Sequence, residues 1–455
     1  TTKVTVDRDR EVFHLPWLTL FPGLGTFGER KTQAMLPGTE YLADEPSSSE
    51  ADVRGALAVR RVVDDLKLCF PLMALAHDGR YLGVSWRRQD LPAAVFDSPD
   101  RTFGSGAHLF ALWHPGVGMR RLENSIAPLD AMPLSASKPL EFTYELLGGK
   151  GRSVIPAVKA YVAAHGMADL PEYEGGFTGA VDLLAHGWLD SASNKGGIWR
   201  HAVWGDRFGP QKAADAVCLQ RWLAGQTQDD ALAERLRESA AEGLEKIEGD
   251  LGSGVSHVRF GMLPYLLYGD VEKRLDQVAA GARQALGRFQ DDGVLLYHAG
   301  KDRPDYASTH FAKHANGLAS PTVNGILEAC LLTNDRDLRR DALALVDKQT
   351  QLYANSVPRG AQTWECPLHT PDILASGRMV RMYTMAYQLS GSPKHLEQAR
   401  YWAWTGVPFV YVDSPVEEPI GAYATIAVFG ATNWRAPFWI GRPVQWCGLV
   451  YGAAL

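Results

Sequence analysis

The hydrophobic period of this chain changes once, near residue 150, and that change limits the fold more than any other feature. Upstream of it, apolar residues alternate with polar ones. In "PLEFTYELL", Leu140, Phe142, Tyr144 and Leu146 share one face while Glu141, Thr143 and Glu145 share the other. That is the pattern of a strand with one side on a core. "LMALAHDGRYLGVSW" sets two β-rich runs around Asp78-Gly79, which suits a two-residue type I′ hairpin turn. "HLFALWH" is another such run, between breaks rich in Gly, Pro and Ser. Residues 1–150 are expected to form an antiparallel β-sandwich, with "GGKG", Gly148 to Gly151, as the boundary to a second domain at 151–455.

Downstream the spacing is helical. Val271, Leu275, Val278, Ala279, Ala282, Leu286 and Phe289 fall on one helix face with charges opposite. Leu232, Leu236, Ala240, Leu244 and Ile247 repeat this, as do Leu338, Ala342, Leu345 and Leu352. These stretches predict helices with one wet side. "SPTVNGILEACLL", "HVRFGMLPYLLYG", "PDILASGRMVRMYTMAYQL" and "PVQWCGLVYGAAL" carry fewer charges and predict helices covered on most sides. About ten to twelve helices are expected, wet and dry in alternation. Antiparallel hairpins closed into a ring, dry helices inside, satisfy that order. A stacked solenoid needs a repeat of fixed period, and the sequence has none. Ser320-Pro321, Thr370-Pro371 and Gly209-Pro210 each set a capping residue before Pro and predict sharp helix starts.

Aromatic residues are the compositional excess that bears on function. Ten of the thirteen Trp lie after residue 150, and six fall between Trp364 and Trp446. Several sit in loop-like sequence with Gly, Pro and Asn, as Trp434 and Arg435 do in "FGATNWRAPFWIGRP". There an indole either packs into the core or offers a flat face to a ligand such as a sugar ring.

A β-sandwich followed by a Trp-rich set of alternating helices resembles the (α/α)6-toroid, or six-hairpin, carbohydrate-active enzymes. "AYQLSGSPKHLEQARYWAW" is similar to their hairpins: a dry helix, a short turn, then a wet helix. The resemblance is one of architecture over nearly the whole chain. It implies a multidomain β + α protein, an N-terminal antiparallel β-sandwich and an (α/α)6-type toroid, with a carbohydrate substrate in a cleft at the inner-helix starts.

Glycoside hydrolysis needs two carboxyl groups across the scissile bond. "TWECPLHTPD", Thr363 to Asp372, is the densest acid–base segment. Glu365 lies outside any helix beside Trp364 and Cys366, a setting that raises a carboxyl pKa as a general acid requires. Its alternative is an ion pair with Arg359 or Arg378. Asp372 is expected in the first turn of the helix opened by Thr370-Pro371, where the helix dipole favours a carboxylate, or else as the second acid. His369 holds a carboxylate, a sugar hydroxyl or a loop carbonyl. "DSASNKGGIWRHAVWGDRFGP" supplies Asp190 and Asp206 as further acids, with Trp199, His201 and Trp204 as sugar contacts.

"STHFAKHANGLASP" holds His310, His314 and Asn316. Two His at i and i+4 match a metal spacing on a helix, but no adjacent acid completes a set, so no metal is expected. Asn316, His314 and His369, with Tyr423 or Tyr383 as base, suit instead a lyase that neutralises a uronate and removes its C5 proton. "GTEYLADEPSSS", Gly38 to Ser49, is expected to be a solvated loop, with a reach over the cleft as the alternative.

Composition narrows the classes. Hydrophobic residues are 46% and the formal net charge is −6, with no dense Lys/Arg stripe, which argues against nucleic acid as a partner. No apolar run is long enough for a membrane span. The five Cys are scattered without a CxxC pair and read as buried thiols. No nucleotide fingerprint appears and no cofactor is expected. The chain starts at Thr1, so cytoplasmic location and export after loss of a leader both stay open. The sequence favours a glycosidase acting on a mostly neutral glycan. A uronate lyase and a non-catalytic glycan-binding protein are the alternatives.

Overall fold

A computed structural model describes residues 1–47, 62–90, 92–116, 130–201, 209–301, 304–307, 312–418, 421–430 and 445–455. The protein has a β-rich N-terminal region and a helical C-terminal region. Its chain divides into two compact units, residues 1–169 with 283–455, and residues 170–282. The division does not follow the boundary read at residue 150, because the strands and the last helices share one core.

The strands of the described residues are β1 (Thr2–Val4), β2 (Arg10–Val12), β3 (Leu15–Leu20), β4 (Gln33–Leu36), β5 (Glu40–Leu42), β6 (Leu72–His77), β7 (Arg80–Trp86), β8 (Ala93–Asp97), β9 (Leu109–His114), β10 (Met132–Leu134), β11 (Leu140–Phe142) and β12 (Tyr144–Lys150). They form a five-stranded antiparallel sheet, β12-β7-β6-β4-β5, a three-stranded sheet, β3-β9-β8, and two short pairs, β1-β11 and β10-β2. The β6–β7 hairpin turns at Asp78 (φ 47°) and Gly79 (φ 69°), both left-handed as a type I′ turn requires.

The five-stranded sheet is apolar on both faces, because alternate residues of its central strands serve different cores. Ala34, Leu36, Met73, Leu75 and Val84 pack with Phe96, Phe110 and Leu112 of the three-stranded sheet. Met35, Leu72, Ala74 and Ala76 point the other way, onto Val154, Val158, Ile373, Ala375 and Tyr451 of the helical region. Such two-sided strands lose the polar alternation seen in "PLEFTYELL". That stretch is itself divided: Leu140 and Phe142 pair with β1, whereas Tyr144 starts β12 on β7. The alternation ends there. Leu146 is 58% exposed and Leu147 packs on the helical side. Gly148, Gly149 and Lys150 belong to β12, paired with Leu82, Tyr81 and Arg80, so the strand runs up to Gly151.

The helices of the described residues are α1 (Ile155–His165), α2 (Gly176–Asp190), α3 (Ala214–Ala224), α4 (Asp230–Lys246), α5 (Leu263–Tyr268), α6 (Val271–Leu286), α7 (Asn316–Thr333), α8 (Arg336–Tyr353), α9 (Ile373–Ser390), α10 (Pro393–Gly406) and α11 (Gln445–Ala454). Helix α9 is the hub of the larger unit, packed against α7, α10 and α11. Small residues set its approach to α11: a Cβ on Gly377 would lie 2.8 Å from the Tyr451 backbone. Wet helices α4 and α8 bury the expected stripes, Leu232, Leu236 and Ala240, and Leu338, Ala342 and Leu345. "HVRFGMLPYLLYG" differs: α5 is six residues long, and Phe260, Leu266 and Leu267 are exposed. Short helices bury little of their circumference. None of the described helices is long and apolar enough to cross a membrane, and all five Cys are free and buried.

None of the three Pro-led starts falls where the sequence suggests. Pro210 precedes α3 by several residues, and Asp372, not Thr370, caps α9. Pro321 lies inside α7, which begins at Asn316. An interior Pro removes the N–H owed to the carbonyl four residues back. Here that carbonyl, Gly317 O, accepts from Arg378 Nη1 at 3.3 Å, so a guanidinium from α9 replaces the missing bond.

Candidate active site

The start of α9 organises the candidate residues of the larger unit. Asp372 has extended backbone angles and its Oδ1 accepts from Ala375 N at 2.7 Å, an N-cap bond worth about 1 kcal/mol. Its Oδ2 accepts from Ala361 N at 2.9 Å, so one carboxylate ties the helix to the segment before it. Neighbouring backbone closes around this point: Asp372 N donates to Pro358 O, Ile373 N to Ala427 O and Phe429 N to Pro371 O. Gln362 Nε2 adds a bond to Ala427 O at 3.1 Å. Asp372 is 1% exposed. Burial drives its carboxyl pKa up to about 6, opposed by the Ala361 and Ala375 N–H groups and by Arg378. The first-turn placement expected for Asp372 is thus corrected to the cap itself.

Trp364 and Glu365 sit on the bend leading into this knot. Trp364 is 38% exposed, and its ring lies 5.8 Å from that of half-buried Trp446, inclined at 36°. Glu365 is half-buried, and its carboxylate has no ion pair or hydrogen bond among the described residues. The salt bridge offered as its alternative is not formed. Arg378 bonds the carbonyls of Gly317 and Ala361, and Arg359 Nη2 pairs with Glu45 Oε1 at 2.9 Å. Burial, reinforced by Glu365 and Asp372, pushes the Cys366 thiol up. Cys447 is likewise raised by burial and by Asp372. These groups therefore share one electrostatic neighbourhood.

The Glu45–Arg359 pair brings in a segment that the sequence reading left in solvent. Within Gly38–Ser47, Thr39, Glu40, Tyr41, Leu42, Glu45 and Ser47 are all buried. Gly430 N donates to Thr39 O, and Glu40 pairs with Gly430 as an isolated parallel bridge. Lys31 lies in the same network, donating to Ser98 O at 3.2 Å. Burial lowers its pKa to about 8 against the pull of Glu45, Asp44 and Glu40. The expected solvated loop is corrected to a buried ion-pair network. Tyr41 and Leu42 between the acids, which form β5, were the signal for it; Trp446, close to the C-terminus, gave none.

Other candidates are spent on structure. Asn316 donates to Val357 O at 2.8 Å and accepts from Arg359 N at 3.0 Å, so its amide fastens the 356–359 segment and leaves no donor for a uronate. His314 Nδ1 bonds Tyr353 Oη at 2.9 Å, and burial lowers its pKa. His369 is buried in the turn that Thr370 N closes on Pro367 O. Tyr383 Oη bonds Thr350 Oγ1, and burial pushes it up to about 12. Tyr423, at φ 58°, donates to Ala168 O.

In the smaller unit, Trp199 is 0% exposed, locked among Val217, Ala240 and Val255, with Gly243 beneath its ring. The sugar platform expected of Trp199 is corrected to a core residue. Asp190 is exposed and paired with His186 and Arg235. Those partners hold its pKa below the usual carboxylate range, His186 first, which is the wrong direction for an acid. His201 meets His257 edge-on at 4.5 Å, and burial lowers both rings. Trp204, Asp206, His310, Trp434 and Arg435 lie outside the described residues. Among the described residues no three His, Cys, Asp or Glu side chains gather as a metal-holding group.

No protein-family model matches the chain, and no curated protein is significantly similar to it.

Proposed function

We propose that this protein is a glycoside hydrolase acting on a mostly neutral glycan, with Glu365 as the carboxyl that meets the substrate and Trp364 with Trp446 as its sugar-stacking ledge. One observation carries the reading: a half-buried carboxylate without a partner among the described residues, next in sequence to a partly exposed aromatic pair. A surface carboxylate gains little from such a place, whereas a general acid needs both apolar cover and a free oxygen. Asp372 is a positioning residue in this scheme. Its bond to Ala361 N fixes the base of the bend that carries Glu365.

In the reaction Glu365 protonates the glycosidic oxygen as the bond to C1 breaks, and a second carboxylate activates water or attacks C1. Of the acids read from the sequence, Asp190 is committed to ion pairs. The (α/α)6 toroid with a β-sandwich is the architecture this reading assumes for the helical and β-rich regions. The lyase alternative is weaker, since Asn316 and Tyr383 spend their polar groups inside the protein.

The test is turnover on a panel of neutral oligosaccharides, scored by new reducing ends, with Glu365→Gln beside the native chain. Glu365→Gln should lose about a thousandfold in kcat while still binding. Unchanged turnover in that variant, or ultraviolet absorbance of an unsaturated uronate as the product signal, overturns the assignment.

A further inference from the structure

We propose that a cavity of the larger unit, where α1 ends, binds a single neutral polyhydroxylated ring, that is, one sugar residue. The cavity measures about 230 Å³, and its walls include Arg87, Gln89, Tyr161, His165, Met167 and Asp413. It is smaller than the clefts that hold drug-sized ligands, and suits one ring rather than a chain.

Tyr161 is the central observation. It is 3% exposed, yet its hydroxyl makes no hydrogen bond to any described residue. That hydroxyl is within electrostatic reach of Asp413, Arg88 and Glu145. The ring is held between Phe70 at 4.8 Å and His165 at 4.5 Å, so the hydroxyl is fixed in direction. A buried phenol usually finds a partner. One that faces a cavity awaits it from a ligand or from water.

The two less exposed cations of the walls, Arg88 and His165, are already paired. Arg88 spends all its donors: Nε on Asp413 Oδ2, Nη1 on Asp65 O and Oδ2, and Nη2 on Leu68 O and Asp413 O. His165 Nε2 is paired with Glu145 at 3.1 Å, and Ser85 Oγ lies 3.4 Å from the same nitrogen. Arg87 is exposed, so water screens its charge. An anionic ligand would meet the Asp413 carboxylate, and the guanidinium left to offset it, that of Arg87, stands in solvent. Groups that both donate and accept, as sugar hydroxyls do, match the phenol of Tyr161, the carboxylate of Asp413 and the amide of Gln89. The far wall is rigid: Ala168 N donates to Val412 O at 2.9 Å, and Tyr423 Oη donates to Ala168 O.

This site does not depend on the hydrolase reading, and the experiment separates the two. Protein labelled with 13C at the methionine methyls is titrated with glucose, galactose and mannose, and the Met167 signal is assigned from Met167→Leu. At least one neutral sugar should shift that signal saturably. Tyr161→Phe, which removes only an unbonded hydroxyl, should weaken binding about fivefold to tenfold. Glu365→Gln should leave the shift unchanged. The proposal fails if none of the three sugars moves the Met167 signal, if Tyr161→Phe binds as the native chain does, or if glucuronate or glucosamine binds more tightly than every neutral sugar.

Discussion

Glu45 and Arg359, 314 positions apart in the chain, form an ion pair of 2.9 Å with the carboxylate side chain 1% exposed and the guanidinium 13% exposed. The pair joins the β-rich region to the segment that carries Glu365. Removing one partner leaves the other charge buried. Glu45→Met is expected to destabilise the fold by about 3–5 kcal/mol, and the double replacement Glu45→Met with Arg359→Met by less than the sum of those two single changes. Chemical denaturation of the four proteins checks the cycle, and additive losses would show that the pair is not coupled.

Asp372 gives a pH dependence with a definite sign. Its folded pKa, about 6, lies above the ordinary carboxyl value of 3.8. Between those values the folded state binds more protons than the unfolded one. This group's contribution is therefore fully present below about pH 4 and declines as pH rises through 6, by about 3 kcal/mol in all. Asp372→Asn removes the titration, so the stability difference between native and variant should change over that window and be flat outside it. Melting curves from pH 3.5 to 8 measure it, and a difference independent of pH would refute the burial argument.

Trp364→Ala should separate binding from chemistry. The side chain is partly exposed, so stability should change by less than about 1 kcal/mol. Loss of a stacking face raises KM about tenfold with kcat nearly unchanged, if the contact is equally strong in ground and transition states. Steady-state kinetics on the best oligosaccharide decides it. A fall in kcat at constant KM would contradict the ledge role.

Trp199→Ala should behave in the opposite way. With the indole sealed over Gly243, truncation opens a cavity and costs about 3–5 kcal/mol. Protease sensitivity of the segment 170–282 should rise.

Gly377→Ala tests the α9–α11 contact. The added methyl meets the Tyr451 backbone, which cannot rotate away as a side chain would. A loss of about 1–3 kcal/mol is expected in thermal melts.

Local rules carried far in the sequence. The Asp78-Gly79 turn, the wet faces of α4 and α8 and the dry α9 follow from spacing, because turn dihedrals and helical periodicity are set by neighbours in the chain. Trp364, Glu365 and Asp372 were legible as one dense segment for the same reason.

What a polar or aromatic group does there was decided elsewhere. Asn316 and Pro321 take their roles from Arg359 and Arg378, which the fold brings to them from other elements. Trp199 is a core residue because Gly243 lets a helix backbone come beneath its ring. Glu40 and Glu45 of "GTEYLADE" are buried because Arg359 meets Glu45 and the backbone near Gly430 closes over Glu40. Whether a charge is solvated or enclosed depends on partners hundreds of residues away. The sequence therefore set periods, turns and the chemistry available, while the tertiary structure alone chose which groups are consumed in holding the fold.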